Sequence, residues 1–424
     1  MQYLYNLLII PLLYIGFRFG GLFNAKIRTG IKGRKKLFER LINDLQDVRK
    51  NRVWFHISSY GEFEQAKPVL QKLKQESPDL FIVVSFFSPS AYENIKLTPP
   101  VDYICYLPFD SVFNANRFIS IINPRFAVIV RHDIWPNFVW TLNKKNIPLI
   151  LIDASIPENS SRFWPFIKSF NKKLYNSFSG IYTISKEESD RIQALISNKD
   201  KLVVTGDTKF DQVYKRALET EKIQHLIQHP FLKNKPIWVI GSSWPADEAH
   251  VIPAFSELVS RFKDLILLII PHEPTDHRIQ EIKYQLAANQ ISFLKYSQLS
   301  EHSTGFNAII VDKMGLLADL YHLGRVALVG GSFEYKVHNV LEPAAHGIPV
   351  LFGPKITTQA EALLLVEKKA GFIVNSVEDI VEKITQFLES NSVAAQAGNN
   401  AKQIVMEHTG ATEKAVKLLM EYLD

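Results

Sequence analysis

Thiol chemistry is almost absent from this 424-residue chain, which carries one cysteine, Cys105. That excludes an internal disulfide and a cysteine-based metal centre, and points to a reducing compartment, the cytoplasm. The Asp-x-Asp pair does not occur and His, Asp and Glu form no dense cluster, so no metal and no other cofactor is expected. Repeats of 20–50 residues and low-complexity tracts are also missing. The charge excess is thin, 49 basic against 43 acidic residues for a net +6. It suits anionic ligands or anionic lipid rather than sequence-specific nucleic-acid binding. What is present is an ordinary globular mixture, 46% apolar and 22% charged, on a chain too long for one core. Two domains follow.

Charge and hydropathy are most uneven at the N-terminus. Residues 1–17 (MQYLYNLLIIPLLYIGF) are almost wholly apolar, and Pro11 interrupts them. The run is short for a bilayer span, which needs about 20 residues, and lacks the leading charges and small-residue cleavage site of a signal peptide. A basic collar follows: Arg18, Lys26, Arg28, Lys32, Arg34, Lys35, Lys36 and Arg40, with Glu39 alone against them. Charges on that side predict that the bulk of the protein stays cytoplasmic. Residues 1–40 read as a membrane-seated segment whose collar meets anionic headgroups; an amphipathic helix packed on the domain is the plainer alternative.

Beyond it, short runs apolar at every position alternate with helical stretches. Residues 53–58, 81–86, 103–107, 126–130, 149–152, 180–184 and 201–205 read as strands, and a second series follows at 237–240, 265–270, 308–311, 326–329, 349–352 and 371–374. Strands apolar on both faces and separated by helices make parallel sheets covered on both sides. The fold class is therefore α/β, with two doubly wound, Rossmann-like domains: 41–215, a polar linker at 216–235, and 236–424. In such sheets ligands bind at the carboxyl ends of strands.

Three strand-end loops carry chemistry. In Ser58-Ser59-Tyr60-Gly61-Glu62, Gly61 permits a sharp turn, and the helix dipole favours an ionised Glu62 suited to a general base; a helix-capping role would explain the same residue. A helix starting near Met314-Gly315 would offer free amides to a phosphate. The stretch Gly330-Gly331-Ser332 through His338-Asn339-Val340-Leu341-Glu342 lets the backbone approach a ligand. A helix from His338 or Asn339 would then place Glu342 where it can accept from ribose hydroxyls.

These segments resemble, in order and along nearly the whole chain, those of 3-deoxy-D-manno-octulosonic acid (Kdo) transferases. HISSYGE is similar to the family's H-x-x-S-x-G-E, DIWPN to its E-L-W-P-N, TGDTKFD to its T-G-x-x-K-F-D, and GSSWPADE to its G-S-T-x-x-x-E; HNVLEPAAHGIPVLFGP resembles the donor segment. The resemblance implies a GT-B glycosyltransferase, two domains facing a cleft, that moves Kdo from CMP-Kdo to a lipid A precursor (lipid IVA) with inversion, at the cytoplasmic face of the inner membrane. It implies Glu62 as the base and Lys209 as a transition-state stabiliser. Pro271-His272, Met314-Gly315-Leu316 and Asn339-Val340-Leu341-Glu342 would hold CMP. Two departures stand out. Arg131 replaces the first acid of the family's E-T-E, leaving Asp133 as the second, and His272 replaces an arginine. A related enzyme using a UDP-sugar, transferase or 2-epimerase, and an inactive membrane-bound scaffold remain alternatives.

Overall fold

A strand such as Phe126–Val130 or Ile266–Pro271, buried at every position, has no wet face, so both of its sides must be covered. In the computed structural model, which describes residues 2–95 and 97–423, the strands form two seven-stranded sheets. The first contains β1 (Arg52–Ile57), β2 (Phe81–Phe86), β3 (Tyr103–Tyr106), β4 (Phe126–Val130), β5 (Leu149–Ala154), β6 (Gly180–Thr183) and β7 (Leu202–Val204). Their order is β3-β2-β1-β4-β5-β6-β7, parallel throughout. The second contains β8 (Ile237–Ser243), β9 (Ile266–Pro271), β10 (Phe293–Lys295), β11 (Ala308–Ile310), β12 (Val326–Val329), β13 (Val350–Phe352) and β14 (Gly371–Ile373). It runs β10-β11-β9-β8-β12-β13-β14, again parallel.

Alternation along each strand feeds two cores in the first sheet. Trp54, Val83, Ala127 and Leu151 pack on one side; Val53, Phe55, Ile82, Val84 and Val128 pack on the other. The second sheet buries Trp238, Ile240, Leu267, Ile269 and Leu328 in the same way. The chain divides into two compact units, one made of the residues up to Gln212 plus the C-terminal stretch from Thr409, the other of Val213–His408. The C-terminal helix Ala411–Met420 belongs to the first unit because Ala415, Val416 and Leu419 pack into its core. Asp211 ties that helix down, accepting from the backbone N–H groups of Gly410 (2.6 Å) and Thr412 (2.7 Å). Residues 216–235 are grouped with the second unit; they bury Ile223 and Leu226.

Two local expectations change. Pro11 does not interrupt the N-terminal helix, which runs on over Gln2–Phe23. A π-helical turn at Tyr5–Ile9 precedes it, and the wider turn accommodates a residue without an N–H. One side of this helix is docked on the first unit. The Tyr5 hydroxyl donates to Asp110 (2.8 Å), Asn6 and Asn137 exchange side-chain hydrogen bonds (3.0 and 2.8 Å), and Phe17 packs on Phe109 (5.1 Å). The remainder is open: Tyr3, Leu7, Leu12, Ile15, Phe19, Leu22 and Phe23 are exposed. Within the collar, Arg34 faces inward. It donates to the carbonyls of Leu107, Gly30 and Phe87 and lies over the rings of Phe87, Tyr106 and Phe109 at 4.7–4.9 Å, and burial lowers its pKa to about 10. Lys26, Arg28, Lys32, Lys35, Lys36 and Arg40 remain exposed.

Candidate active site

In the first unit the candidate residues gather at the carboxyl ends of β1, β4, β5 and β7. Ser59 caps the helix Tyr60–Glu76, its side chain accepting from the Glu62 N–H (3.3 Å). Glu62 is buried at 8% exposure, and its Oε2 accepts from the Ser58 N–H (2.9 Å) and the Ser58 hydroxyl (2.6 Å). Oε1 has no hydrogen-bond partner among the described residues. Gly61 does not make the turn. It is the second residue of the helix, and a Cβ there would meet nothing within 4 Å, so nothing at that position requires a glycine.

One turn on, at the same face of that helix, Gln65 joins a polar clasp. Arg131 Nε donates to Gln65 Oε1 (2.8 Å), Gln65 Nε2 donates to Asp207 Oδ1 (2.6 Å), and Arg131 pairs with Asp207 Oδ2 (3.4 Å). Asp207 Oδ1 also accepts from the Lys209 N–H (2.9 Å). Beside it Asp153, 1% exposed, accepts from the Thr208 N–H (3.0 Å) and hydroxyl (2.5 Å). Burial, reinforced by the Asp207 charge, pushes the Asp153 carboxyl up to about 7. Arg131 (φ 64°) and Asp153 (φ 51°) both hold left-handed backbone, an uncommon conformation for such residues that turns each chain sharply off its strand. The clasp thus links Glu62, through Gln65 and Asp207, to Arg131 and Lys209.

Asp133 is held separately. Trp54 donates to Ser85 Oγ (2.8 Å), Ser85 Oγ lies 3.0 Å from His56 Nδ1, and His56 Nε2 lies 3.0 Å from Asp133 Oδ2. An ionised carboxylate only accepts, so His56 donates from Nε2 to Asp133 while its Nδ1 meets the Ser85 hydroxyl. Burial pushes the Asp133 carboxyl up, but the hydrogen bond and charge of His56 outweigh it and the net shift is downward.

In the second unit the loops after β8, β9 and β12 meet. Asp247 Oδ2 accepts from the N–H groups of Trp244 and Gly331, 2.8 Å each, tying the end of β8 to the Gly330-Gly331 turn. Gly331 has φ +99°, and a Cβ there would lie 2.3 Å from the Lys336 carbonyl oxygen, so only glycine fits. The His272 N–H donates to the Ser243 carbonyl (3.0 Å), and the His272 ring stacks on Trp244 (4.9 Å) and His338 (4.5 Å). Asn339 Nδ2 donates to Glu342 Oε1 (3.1 Å). Val340 and Leu341 are buried, which leaves their backbone rather than their side chains to a ligand. The helix expected from His338 or Asn339 begins only at Leu341, and the one expected from Met314-Gly315 begins at Leu317 and spans four residues. Pro271 is buried, while Met314 and Gly315 are exposed. Arg216 braces their loop, donating to the Gly315 carbonyl (3.2 Å) and pairing with buried Asp319 (3.6 Å).

Residues 34–212 match the family described as 3-deoxy-D-manno-octulosonic-acid transferase (kdotransferase). The 3-deoxy-D-manno-octulosonic acid transferase of Haemophilus influenzae is 28% identical over 376 residues, 88% of this chain and 87% of that one. Its counterpart from Chlamydia pneumoniae is 25% identical over 376 residues, 88% and 85% of the two chains. The chain thus matches the Kdo transferase family over residues 34–212 and is similar to its members, which are glycosyltransferases, along most of its length. The fold is shared more widely: UDP-GlcNAc 2-epimerase from Neisseria meningitidis superposes with a TM-score of 0.60 at 16% identity, covering 88% of this chain and 99% of that one. A glycosyltransferase from Rickettsia africae gives 0.55 at 15% identity, covering 89% and 99%. Two Rossmann-like units of this kind are the GT-B architecture.

His56, Gln65, Asp153, Asp207, Trp244 and His338 were not singled out from the sequence. Their partners come from other strands. For His56, Asp207, Trp244 and His338 a signal existed, since they lie within the segments HISSYGE, TGDTKFD, GSSWPADE and HNVLEPAAHGIPVLFGP.

Proposed function

We propose that this protein moves Kdo from CMP-Kdo onto a lipid A precursor such as lipid IVA, in lipopolysaccharide synthesis, with inversion at the anomeric carbon. The observation that carries the reading is Glu62, whose Oε2 is taken by Ser58 while Oε1 is left for a proton. Glu62 removes the proton of the acceptor hydroxyl as that oxygen attacks the anomeric carbon. The bond to the CMP phosphate breaks and CMP leaves. Lys209, whose backbone is fixed by Asp207, supplies positive charge to the transition state. Asp133 is an auxiliary carboxylate. Arg131, engaged with Gln65 and Asp207, acts by positioning that clasp rather than by replacing the family's acid. Pro271-His272, the backbone of Met314-Gly315-Leu316 and Asn339–Glu342 hold the nucleotide.

The helix Gln2–Phe23 lies along the membrane surface in this reading. At 22 residues it is about 33 Å long, enough for a bilayer core of about 30 Å. Crossing would, however, strip Tyr5 from Asp110 and Asn6 from Asn137. Lying flat keeps those bonds, offers Leu7, Leu12, Phe19 and Phe23 to lipid, and brings the exposed lysines of the collar to the headgroups.

The test incubates the full chain with CMP-Kdo and lipid IVA and weighs the lipid by mass spectrometry. A gain of one or more Kdo masses is expected, and CMP but not UDP should raise the melting temperature. An unchanged lipid, or protection by UDP instead, overturns the reading.

A further inference from the structure

Three rings from three separate strand ends stack in the second unit. Trp244 lies on His272 at 4.9 Å and 22°, His272 lies on His338 at 4.5 Å and 19°, and the indole Nε1 of Trp244 is 2.8 Å from Nε2 of His338. An indole N–H can only donate, so Nε2 of His338 accepts, and in the neutral ring the proton sits on Nδ1. The orientation is fixed from a second side. A Cβ on Gly331 would fall 3.0 Å from Cδ2 and 3.2 Å from Nε2 of His338, so that edge of the ring faces the glycine turn and the indole. The opposite edge carries Nδ1, which has no hydrogen-bond partner among the described residues. Burial, with the nearby His272 and Lys336, lowers the His338 pKa to about 4, so the ring is neutral at physiological pH. The next residue is Asn339, which holds Glu342.

We propose that His338 is a further donor-binding residue, presenting Nδ1–H to an anionic oxygen of the nucleotide sugar, and that Trp244 is the positioning residue that decides which nitrogen carries the proton. This rests on the reading of the second unit as the half that holds CMP-Kdo. A neutral N–H suits this place. It binds a phosphate or carboxylate oxygen without placing a second cation in the stacked ring cluster.

Two substitutions separate the ring nitrogens, because asparagine puts its side-chain amide near Nδ1 and glutamine near Nε2. Calorimetric titration of the full chain with CMP and with CMP-Kdo should show His338→Asn binding comparably to wild type. His338→Gln should bind about ten- to a hundredfold more weakly, the range of one hydrogen bond to a charged group. A loss already seen with CMP assigns the oxygen to the phosphate; a loss seen only with CMP-Kdo assigns it to the sugar carboxylate. Either supports the proposal. The ring-nitrogen resonances of wild-type His338, read without ligand, should report a single Nδ1-protonated tautomer that becomes mixed in Trp244→Phe. Glutamine and asparagine variants that both bind like wild type, or a wild-type proton on Nε2, overturn it. A wild-type chain that binds neither CMP nor CMP-Kdo refutes the donor reading, and the tautomer measurement still judges the part played by Trp244.

Discussion

Replacing Glu62 by glutamine separates the two roles that the carboxylate could have. Its Oε2 accepts two hydrogen bonds from Ser58, at 2.9 and 2.6 Å, so part of its value is structural. Glutamine keeps an oxygen for those donors but loses the charge. Hydrogen bonds to a charged acceptor are worth about 1.5–3 kcal/mol and neutral ones about 0.5–1.5, so the two together weaken by roughly 2 kcal/mol. In a unit of this size that is a fall of about 4–8 °C in melting temperature. The protein stays folded at assay temperature, yet it has no group to take the acceptor's proton. The transfer rate should therefore drop by about 10²–10⁴, while calorimetric affinity for CMP is unchanged. Ser58→Ala is the control, because it removes one of the two structural hydrogen bonds and leaves the base in place. Single-turnover transfer from CMP-Kdo to lipid IVA, quenched and weighed, reads the rate. Wild-type transfer by Glu62→Gln would sink the assignment. So would a Ser58→Ala variant as slow as the glutamine variant, since the carboxylate would then matter only through the fold.

Arg131→Ala leaves Asp207 and nearby Asp153 without their cation; with the pair partly exposed, it should destabilise the protein by about 1–3 kcal/mol, the cost of leaving a buried polar group unsatisfied, and slow transfer without changing CMP affinity, and a CMP affinity that falls with it would contradict a role confined to the clasp. Asp110, 4% exposed, has its carboxyl raised to about 6 by burial, against the hydrogen bonds from Tyr5 and Asn137. Because its folded pKa lies above the unfolded value, its contribution is fully present below about pH 4 and is lost as pH rises through 6, a change of roughly 3 kcal/mol. Asp110→Asn should accordingly gain melting temperature relative to wild type between pH 4.5 and 7.5, and a difference that does not vary with pH refutes it. A protease-cleavable tag fused ahead of Gln2 should be cut on the same side of a vesicle as the body of the protein. Protection of the tag on the far side means that the helix crosses.

The strands were legible because each is apolar at consecutive positions, the mark of a sheet covered on both faces. The one that escaped, Phe293–Lys295, is a half-exposed edge strand of three residues, too short and too mixed to carry a pattern. Local turns were legible less often. Gly61 reads as a turn glycine but sits in a helix, whereas Arg131 and Ser242 turn their chains with positive φ, which neither residue type predicts. Proximity across the fold was not legible at all. Gln65, Arg131 and Asp207 are 66 and 76 residues apart, and no periodicity relates them. Arg34 illustrates the same limit, for as sequence it is one of eight basic residues in a collar. Only Leu107, Phe87 and Tyr106, brought in by distant strands, make it part of the interior.

The two departures from the family's pattern have different physical consequences. At Arg131 an acid has become a base within reach of Asp207, which itself neighbours the buried Asp153. With an acid at that position three carboxylates would converge on the start of the Lys209 helix, and such a site would need either a proton or an outside cation. With arginine the clasp closes on its own, which ties the orientation of Lys209 to an internal ion pair. At His272 a permanently charged arginine has become a ring that stacks on both Trp244 and His338, themselves joined edge to edge. A flat, rigid platform stands there instead, and under the proposed donor reading the grip on an anionic ligand falls to the oriented N–H groups around it. Under the proposed reading the first substitution acts on catalysis through position and the second on donor affinity, so kcat should respond to Arg131 and donor binding to the Trp244–His338 pair.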